Sequence, residues 1–308
     1  MVADAAPFAR VGGQRALVTR LISVVIPTYN PGLLVDRALV SVLTQHTNDK
    51  LEVVVVDDGS RDGTPARLRR EYPMIRVLEQ CNSGTASARN TGVAAAGGQF
   101  IALLDQDDVW DPDKLQRQMP LFVNPAVGMV HAGARFSNAS GEVTSVEPGV
   151  DGLDFHALLT WCWLLQSTAV IRADVLREVG AFDETLTAAD DWDLWLRLAL
   201  HTQLAVVVDP LVSVLVHDGN QSNDAERMYR SAAALLIKHG RTHPGCGLCK
   251  SALSAADLTN RREFYRRVRD QAKQARREGK PIASLTLTGR ALARHPRALG
   301  EFVRQRRS

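Results

Sequence analysis

The sequence predicts a wound α/β fold, with a mostly parallel central sheet flanked by helices and a basic helical region after it. Two patterns carry this expectation. Short β-branched apolar runs alternate with helix-prone stretches over the first hundred residues, and successive runs end in polar, acid-rich turns. The composition agrees: 308 residues, 45% hydrophobic, 23% charged and 6% aromatic exclude collagen, coiled coil, long disorder and disulfide-dense scaffolds.

Residues 1–20 are rich in Ala, Gly and Arg without any period and read as a mobile leader, with no apolar stretch of signal-peptide length. Leu21 to Ile26 is the first strand, stopped by Pro27. Leu33 to Leu43 has helical spacing, and Leu51 to Val56 is the second strand, ended by Asp57-Asp58-Gly59. Thr64-Pro65 reads as an N-cap followed by proline at the first helical position. Met74 to Leu78 is a third strand, and Ser83 to Ala96 a helix closed by Gly97-Gly98. Phe100 to Leu104 is a fourth strand, ended by Asp105. Such continuous apolar strands are expected where both sheet faces are covered.

The order then loosens. Asp111-Pro112 opens a helix, Val127 to Ala132 and Ser167 to Ile171 read as strands, and Ala189 to Leu200 reads as a helix. Ala205 to Val208 and Val212 to Val216 are short late strands, and 130–165 reads as irregular. Beyond Asp224 the chain is helical and basic, which divides it into a leader (1–20), a body (21–224, halves 21–110 and 111–224) and a C-terminal helical region (225–308). Residues 1–224 hold 17 Lys and Arg against 28 Asp and Glu, whereas 225–308 hold 20 against 6. An acidic body suits a metal or cationic ligand; a basic tail suits an anionic surface. No apolar run is long enough to span a membrane, and four cysteines are too few for a disulfide framework, so a reducing, cytoplasmic setting is expected.

In an open α/β sheet, ligands sit beyond the carboxyl ends of the strands. Pro27-Thr28-Tyr29-Asn30, Asp57-Asp58-Gly59-Ser60 and Asp105-Gln106-Asp107-Asp108 all fall there. Each alone would pass for a turn, since Asp and Gly form turns. Together they make an acidic edge whose charges repel unless a cation is present. Asp105 and Asp107, two residues apart, would point the same way from an extended segment and suit a hard divalent ion that also takes phosphate oxygens. No glycine-rich phosphate loop of the kinase or dinucleotide type occurs.

These motifs, with Asp62-Gly63-Thr64, Asn82-Ser83-Gly84 and Ala88-Arg89-Asn90-Thr91-Gly92 between them, resemble a family 2 glycosyltransferase of the GT-A fold, in order from about residue 21 to 222. The resemblance implies an inverting, nucleotide-sugar-dependent enzyme using Mn2+ or Mg2+, with a UDP-sugar favoured and a glycan, lipid-linked or other hydroxyl acceptor. Pro27, Thr28 and Tyr29 would line the base pocket, Asp57 or Asp58 would accept from the base or ribose, and Gly84 and Arg89 would lie against the nucleotide and its phosphates. Asp105 and Gln106 would bind the nucleotide-sugar, Asp107 the metal, and Asp108 would extend the cluster. Gly180-Ala181-Phe182-Asp183-Glu184 and Asp190-Asp191-Trp192 resemble the acceptor-side helix, which puts the general base at Asp191 and leaves Asp190 and Asp193 as helix-end decoration. His217, in a His-x-x-x-x-Ser segment ending at Ser222, would contact metal or diphosphate.

Two features fall outside the resemblance. His239, His243, Cys246 and Cys249 have zinc-ligand chemistry without a finger's spacing. Arginines and lysines from Arg261 to Lys280 flank a narrow stripe of Phe264, Val268, Ala272 and Ala275. This reads as an amphipathic helix on the body, or one making peripheral contact with an anionic membrane at its inner face. With no interleaved aromatics, nucleic acid is not an expected partner.

Overall fold

The computed structural model describes residues 19–280, apart from Trp163, Thr187, Asp218, Gln221, Ser222 and Glu278, together with Thr286 and Gly289. The expected leader up to residue 18, and Ser222 of the His-x-x-x-x-Ser segment, lie outside the described residues. The chain runs β1 (Leu21–Thr28), α1 (Leu34–Leu43), β2 (Lys50–Asp57), α2 (Thr64–Glu71), β3 (Arg76–Glu79), α3 (Thr85–Ala95) and β4 (Phe100–Leu103). It continues with β5 (Val109–Trp110), α4 (Lys114–Gln118), β6 (Val127–Ser137), β7 (Val143–Glu147), α5 (Phe155–Thr160), β8 (Val170–Arg172) and α6 (Ala173–Val179). It closes with α7 (Asp190–His201), β9 (Gln203–Leu215), α8 (Ala225–His239) and α9 (Gly247–Arg277).

Among the described residues the strands form one nine-stranded sheet, ordered β3-β2-β1-β4-β8-β6-β9-β5, with β7 paired to β6. The first four strands pair in parallel, as their unbroken apolar runs require: β1 lies between β2 and β4, and β2 takes β3 on its far side. The second half departs from a purely parallel sheet. β8 runs antiparallel to both β4 and β6, and β5 and β7 are antiparallel additions, while β6 and β9 pair in parallel.

Several boundaries move for physical reasons. Pro27 does not stop β1, which runs to Thr28; proline is tolerated near a strand end because only one ladder donor is lost. Helix α2 is capped by Gly63 at φ 80°, and Thr64 is its first residue, not its cap. The two late strands are one, β9, carried across Pro210 by irregular register against β6. The region expected to be irregular contains the end of β6, all of β7 and α5.

The core sits on both sheet faces. One cluster, with Ile22, Val24, Leu39, Val55 and Trp110, lies under α1, α2 and α4. The other joins Val25, Ile101, Met129, Leu158 and Trp195 to Ala232, Leu235, Cys249 and Ala256, so α8 and α9 share a core with the body. Helix α3 packs closely on the sheet at Gly92, where a Cβ would stand 2.3 Å from Val25 Cγ1. The apolar stripe of α9 is buried at Phe264, Val268 and Ala272.

Candidate active site at the carboxyl edge of the parallel strands

Three loops beyond β1, β2 and β4 are tied together by side chain to backbone hydrogen bonds. The Asn30 amide donates to Ser60 Oγ at 2.7 Å, the Arg61 amide to Asn30 Oδ1 at 2.8 Å, and the Gly32 amide to Asp62 Oδ2 at 3.1 Å. The Tyr29 amide donates to Gln106 Oε1 at 2.8 Å, which fixes the Asp-Gln-Asp-Asp turn against the β1 loop. Tyr29 is 46% exposed beside these loops.

Thr28, Asp57 and Asp58 are buried and frame this edge. Asp57 accepts from the Ser60 amide at 2.8 Å and from Thr28 Oγ1 at 3.4 Å. Asp58 Oδ1 accepts from Gln80 Nε2 at 2.9 Å and the Ser83 amide at 2.8 Å, and its Oδ2 from the Gly84 amide at 2.9 Å. Gly84 enters α3 at φ 94°, a conformation costly for other residues. Both carboxylates therefore spend hydrogen-bonding capacity on the loops that shape the edge.

Arg89 occupies a different place from the expected phosphate contact. Its guanidinium is buried, donating to Asp105 Oδ1 at 2.9 Å and to Asp190 Oδ2 at 2.8 Å, with the Phe182 ring 5.3 Å away. Burial would lower its pKa, but the charges of Asp105 and Asp190 hold it raised. An arginine committed to two carboxylates is a clamp joining β4 to α7. Asp190, expected as helix-end decoration, is the far half of that clamp. Arg89→Met leaves two carboxylates without their buried cation and is expected to lower folding stability by about 3–5 kcal/mol. Denaturant unfolding checks this; a loss under about 1 kcal/mol would show the clamp to be dispensable.

Asp105 also accepts from Gln166 Nε2, at 2.5 Å, and its amide donates to Ser167 Oγ at 3.0 Å. The segment is a turn, not extended, so Asp107 faces other partners: His217 Nε2 at 2.9 Å and Asn220 Nδ2 at 3.3 Å, both on its Oδ2. Asp107 has its pKa raised by burial and by the charge of Asp105. Asp108 does not extend the open cluster. It is buried, with Oδ2 2.5 Å from Ser167 Oγ, and burial raises its pKa well above the usual range.

Asp191 stands at the start of α7, where its Oδ1 accepts from the Trp192 amide at 2.7 Å. Burial, then the neighbouring Asp190 charge, push it up to about 7 against the lowering pull of Arg89. A carboxylate so placed can take a proton near neutral pH. Asp193 is no decoration either: Arg197, Lys238 and His239 surround it at 2.7–2.8 Å. Burial would raise its pKa, but those donors hold it well below the usual carboxylate range. It anchors α8 to α7. Gln166 and Asn220, which touch Asp105 and Asp107, escaped the sequence reading because an isolated amide carries no signal of its partner.

A parallel half-sheet with acidic turns at its carboxyl edge, tied through Arg89 to the start of α7, has the GT-A fold of solved glycosyltransferases. The family model "Glycosyl transferase family 2" matches residues 23–156. An uncharacterized glycosyltransferase of Nostoc sp. is 33% identical over 186 residues, 56% of each chain, so this chain spans little more than half of that relative. Among solved structures, the mannosyltransferase PcManGT from Pyrobaculum calidifontis, in complex with GDP-Man and Mn2+, superposes with a TM-score of 0.62 at 25% identity, over 91% of this chain and 82% of that one. S. aureus TarS 1–349 in complex with UDP-GlcNAc shares the fold at a TM-score of 0.60 and 17% identity, over 87% and 90% of the two chains. The match to glycosyl transferase family 2 thus spans the first half of the described fold, from β1 to α5, and the relatives that share it are named as glycosyltransferases.

Proposed function

We propose that this chain moves a sugar from a nucleotide-sugar, a UDP-sugar in the first instance, to an acceptor hydroxyl with inversion, in the synthesis of a glycan, glycolipid or cell-envelope polysaccharide. The observation that carries the reading is the Arg89 clamp. It ties Asp105, in the donor-side turn, to Asp190, the neighbour of Asp191, so one buried cation sets the distance between the donor edge and the base. The two solved neighbours that bind GDP-Man and UDP-GlcNAc support a nucleotide-sugar donor.

In this reading the Tyr29 ring stacks on the base, and Pro27, Thr28, Asp57, Asp58 and Gly84 shape the loops around it. Asp105 and Gln106 border the ribose and sugar. Asp107 and His217 would hold a divalent ion; their facing atoms already converge at 2.9 Å. A carboxylate raised by burial and by Asp105 gains from a cation, and its oxygen suits Mn2+ or Mg2+, with the imidazole favouring Mn2+. When bound, the ion neutralises the leaving diphosphate as a Lewis acid. Asp191 takes the proton of the acceptor hydroxyl as its oxygen bonds to the anomeric carbon, and the bond to the diphosphate oxygen breaks on the opposite face. The configuration therefore inverts.

No helix among the described residues is long and apolar enough to cross a membrane. A cytoplasmic enzyme touching an anionic membrane through α9 is part of the proposal. Several of its arginines are already paired along the helix, Arg261 with Asp257 and Arg266 and Arg267 with Glu263, which leaves the contact weaker than the charge count implies.

Thermal unfolding with UDP, GDP and dTDP, each with and without Mn2+, tests the proposal. One nucleotide at about a hundredfold its dissociation constant is expected to stabilise the fold by about 2.7 kcal/mol, and only with the metal. No shift with any of the three would turn the site into a binding module without transfer chemistry.

A further inference from the structure

Sequence spacing offered His239, His243, Cys246 and Cys249 as a zinc set, and the fold breaks that set. His239 points the other way, its Nε2 2.8 Å from Asp193 Oδ1 in the buried anchor between α8 and α7. In its place the fold brings His156, the second residue of α5, which lies 90 residues from Cys246 in the chain. His156 Nε2 is 3.6 Å from Cys246 Sγ, and Cys249 Sγ is 3.7 Å from His243 Nδ1. Ligand atoms of His156, His243 and Cys249 all lie within 4.8 Å of one another.

We infer that His156, His243, Cys246 and Cys249 form a Cys2His2 zinc site that staples the α8–α9 loop to α5. Zinc bonds of about 2.3 Å to sulfur and about 2.0–2.1 Å to nitrogen, at a tetrahedral angle, set sulfur and nitrogen about 3.6 Å apart. The two observed sulfur–nitrogen distances match that edge. The Cys-x-x-Cys forms the first turn of α9, with the Cys249 amide donating to Sγ of Cys246, the residue just before the helix, at 3.4 Å. Two soft thiols and two imidazoles select zinc over the harder divalent ions at the sheet edge.

Four protein ligands leave no open position, so this zinc is structural and separate from the transfer chemistry. The loop needs such a tie. Arg241, His243, Pro244 and Gly245 are exposed and add little apolar burial of their own. The partner helix is well chosen: α5 receives the Trp192 indole N–H of α7 on Leu158 O at 2.6 Å. A metal at His156 therefore steadies the helix against which the Asp191 segment packs. The inference does not depend on which sugar is moved, or on whether transfer occurs at all.

The test is the metal content of the full chain, purified from zinc-supplemented cells under reducing conditions without chelator, together with cobalt substitution. One zinc per chain is expected, lost in Cys249→Ser and in His156→Gln but retained in His239→Gln. Cobalt added to the metal-free wild type should show thiolate-to-metal charge transfer and the intense visible bands of a tetrahedral site, a readout that stands even where a variant fails to fold. Zinc lost with His239→Gln and kept with His156→Gln would restore the set read from spacing alone and overturn the inference. So would a chain that takes up neither metal in anaerobic titration, or a Cys246–Cys249 disulfide formed with no metal bound.

Discussion

Asp107→Ala is expected to abolish Mn2+-dependent transfer, with a loss of about a thousandfold or more. A metal at a leaving diphosphate is worth several kcal/mol in the transition state, and each 1.36 kcal/mol is a factor of about ten. Asp107 is the carboxylate best placed for the ion, because its Oδ2 meets His217 and Asn220 and no clamp to the core. The fold should survive, since Asp105, Arg89 and Asp190 keep their contacts. The same variant should also lose the metal-dependent part of nucleotide-induced stabilisation. Turnover that still responds normally to Mn2+ would remove Asp107 from the site.

Asp191→Asn should leave nucleotide binding intact while transfer falls by about 10²–10⁴-fold, the usual worth of a positioned base. The amide oxygen can still accept from the Trp192 N–H, so the start of α7 is preserved. On the proposed reading Asp191 acts as base only when ionised. Burial and Asp190 push its pKa up to about 7, opposed by Arg89, with Asp105 and the Cys162 thiol also nearby. Below that value kcat/KM should fall about tenfold per pH unit; above it the profile should level. The inflection should vanish in Asp191→Asn. Loss of nucleotide binding in this variant would make Asp191 a structural residue.

Much of this site was legible along the chain. The four parallel strands, the three acidic or polar turns at their ends and the start of α7 are local events, set by β-branched runs, turn formers and helical spacing within a few residues. The resemblance built on those turns named the same edge that the fold assembles. The second half of the sheet was read less well. Whether 203–215 is one strand or two depends on β6 running beside it, and pairing partners outside the window leave no mark on local spacing.

Side-chain partnerships were the least legible. Arg89 and Asp190 are 101 residues apart, Asp107 and His217 are 110 apart, and His156 and Cys246 are 90 apart. The resemblance implied a phosphate contact for Arg89, whereas the fold pairs it with Asp105 and Asp190. A histidine near Cys-x-x-Cys suggests a metal ligand until Asp193 claims it. By itself the sequence determined the fold class, the acidic edge and the identity of its carboxylates, because strands, helices and turns are encoded over a few neighbours. Only the tertiary structure decided which charges neutralise which, because a buried ion must find its partner in space, and the order of strands in the sheet sets who is near.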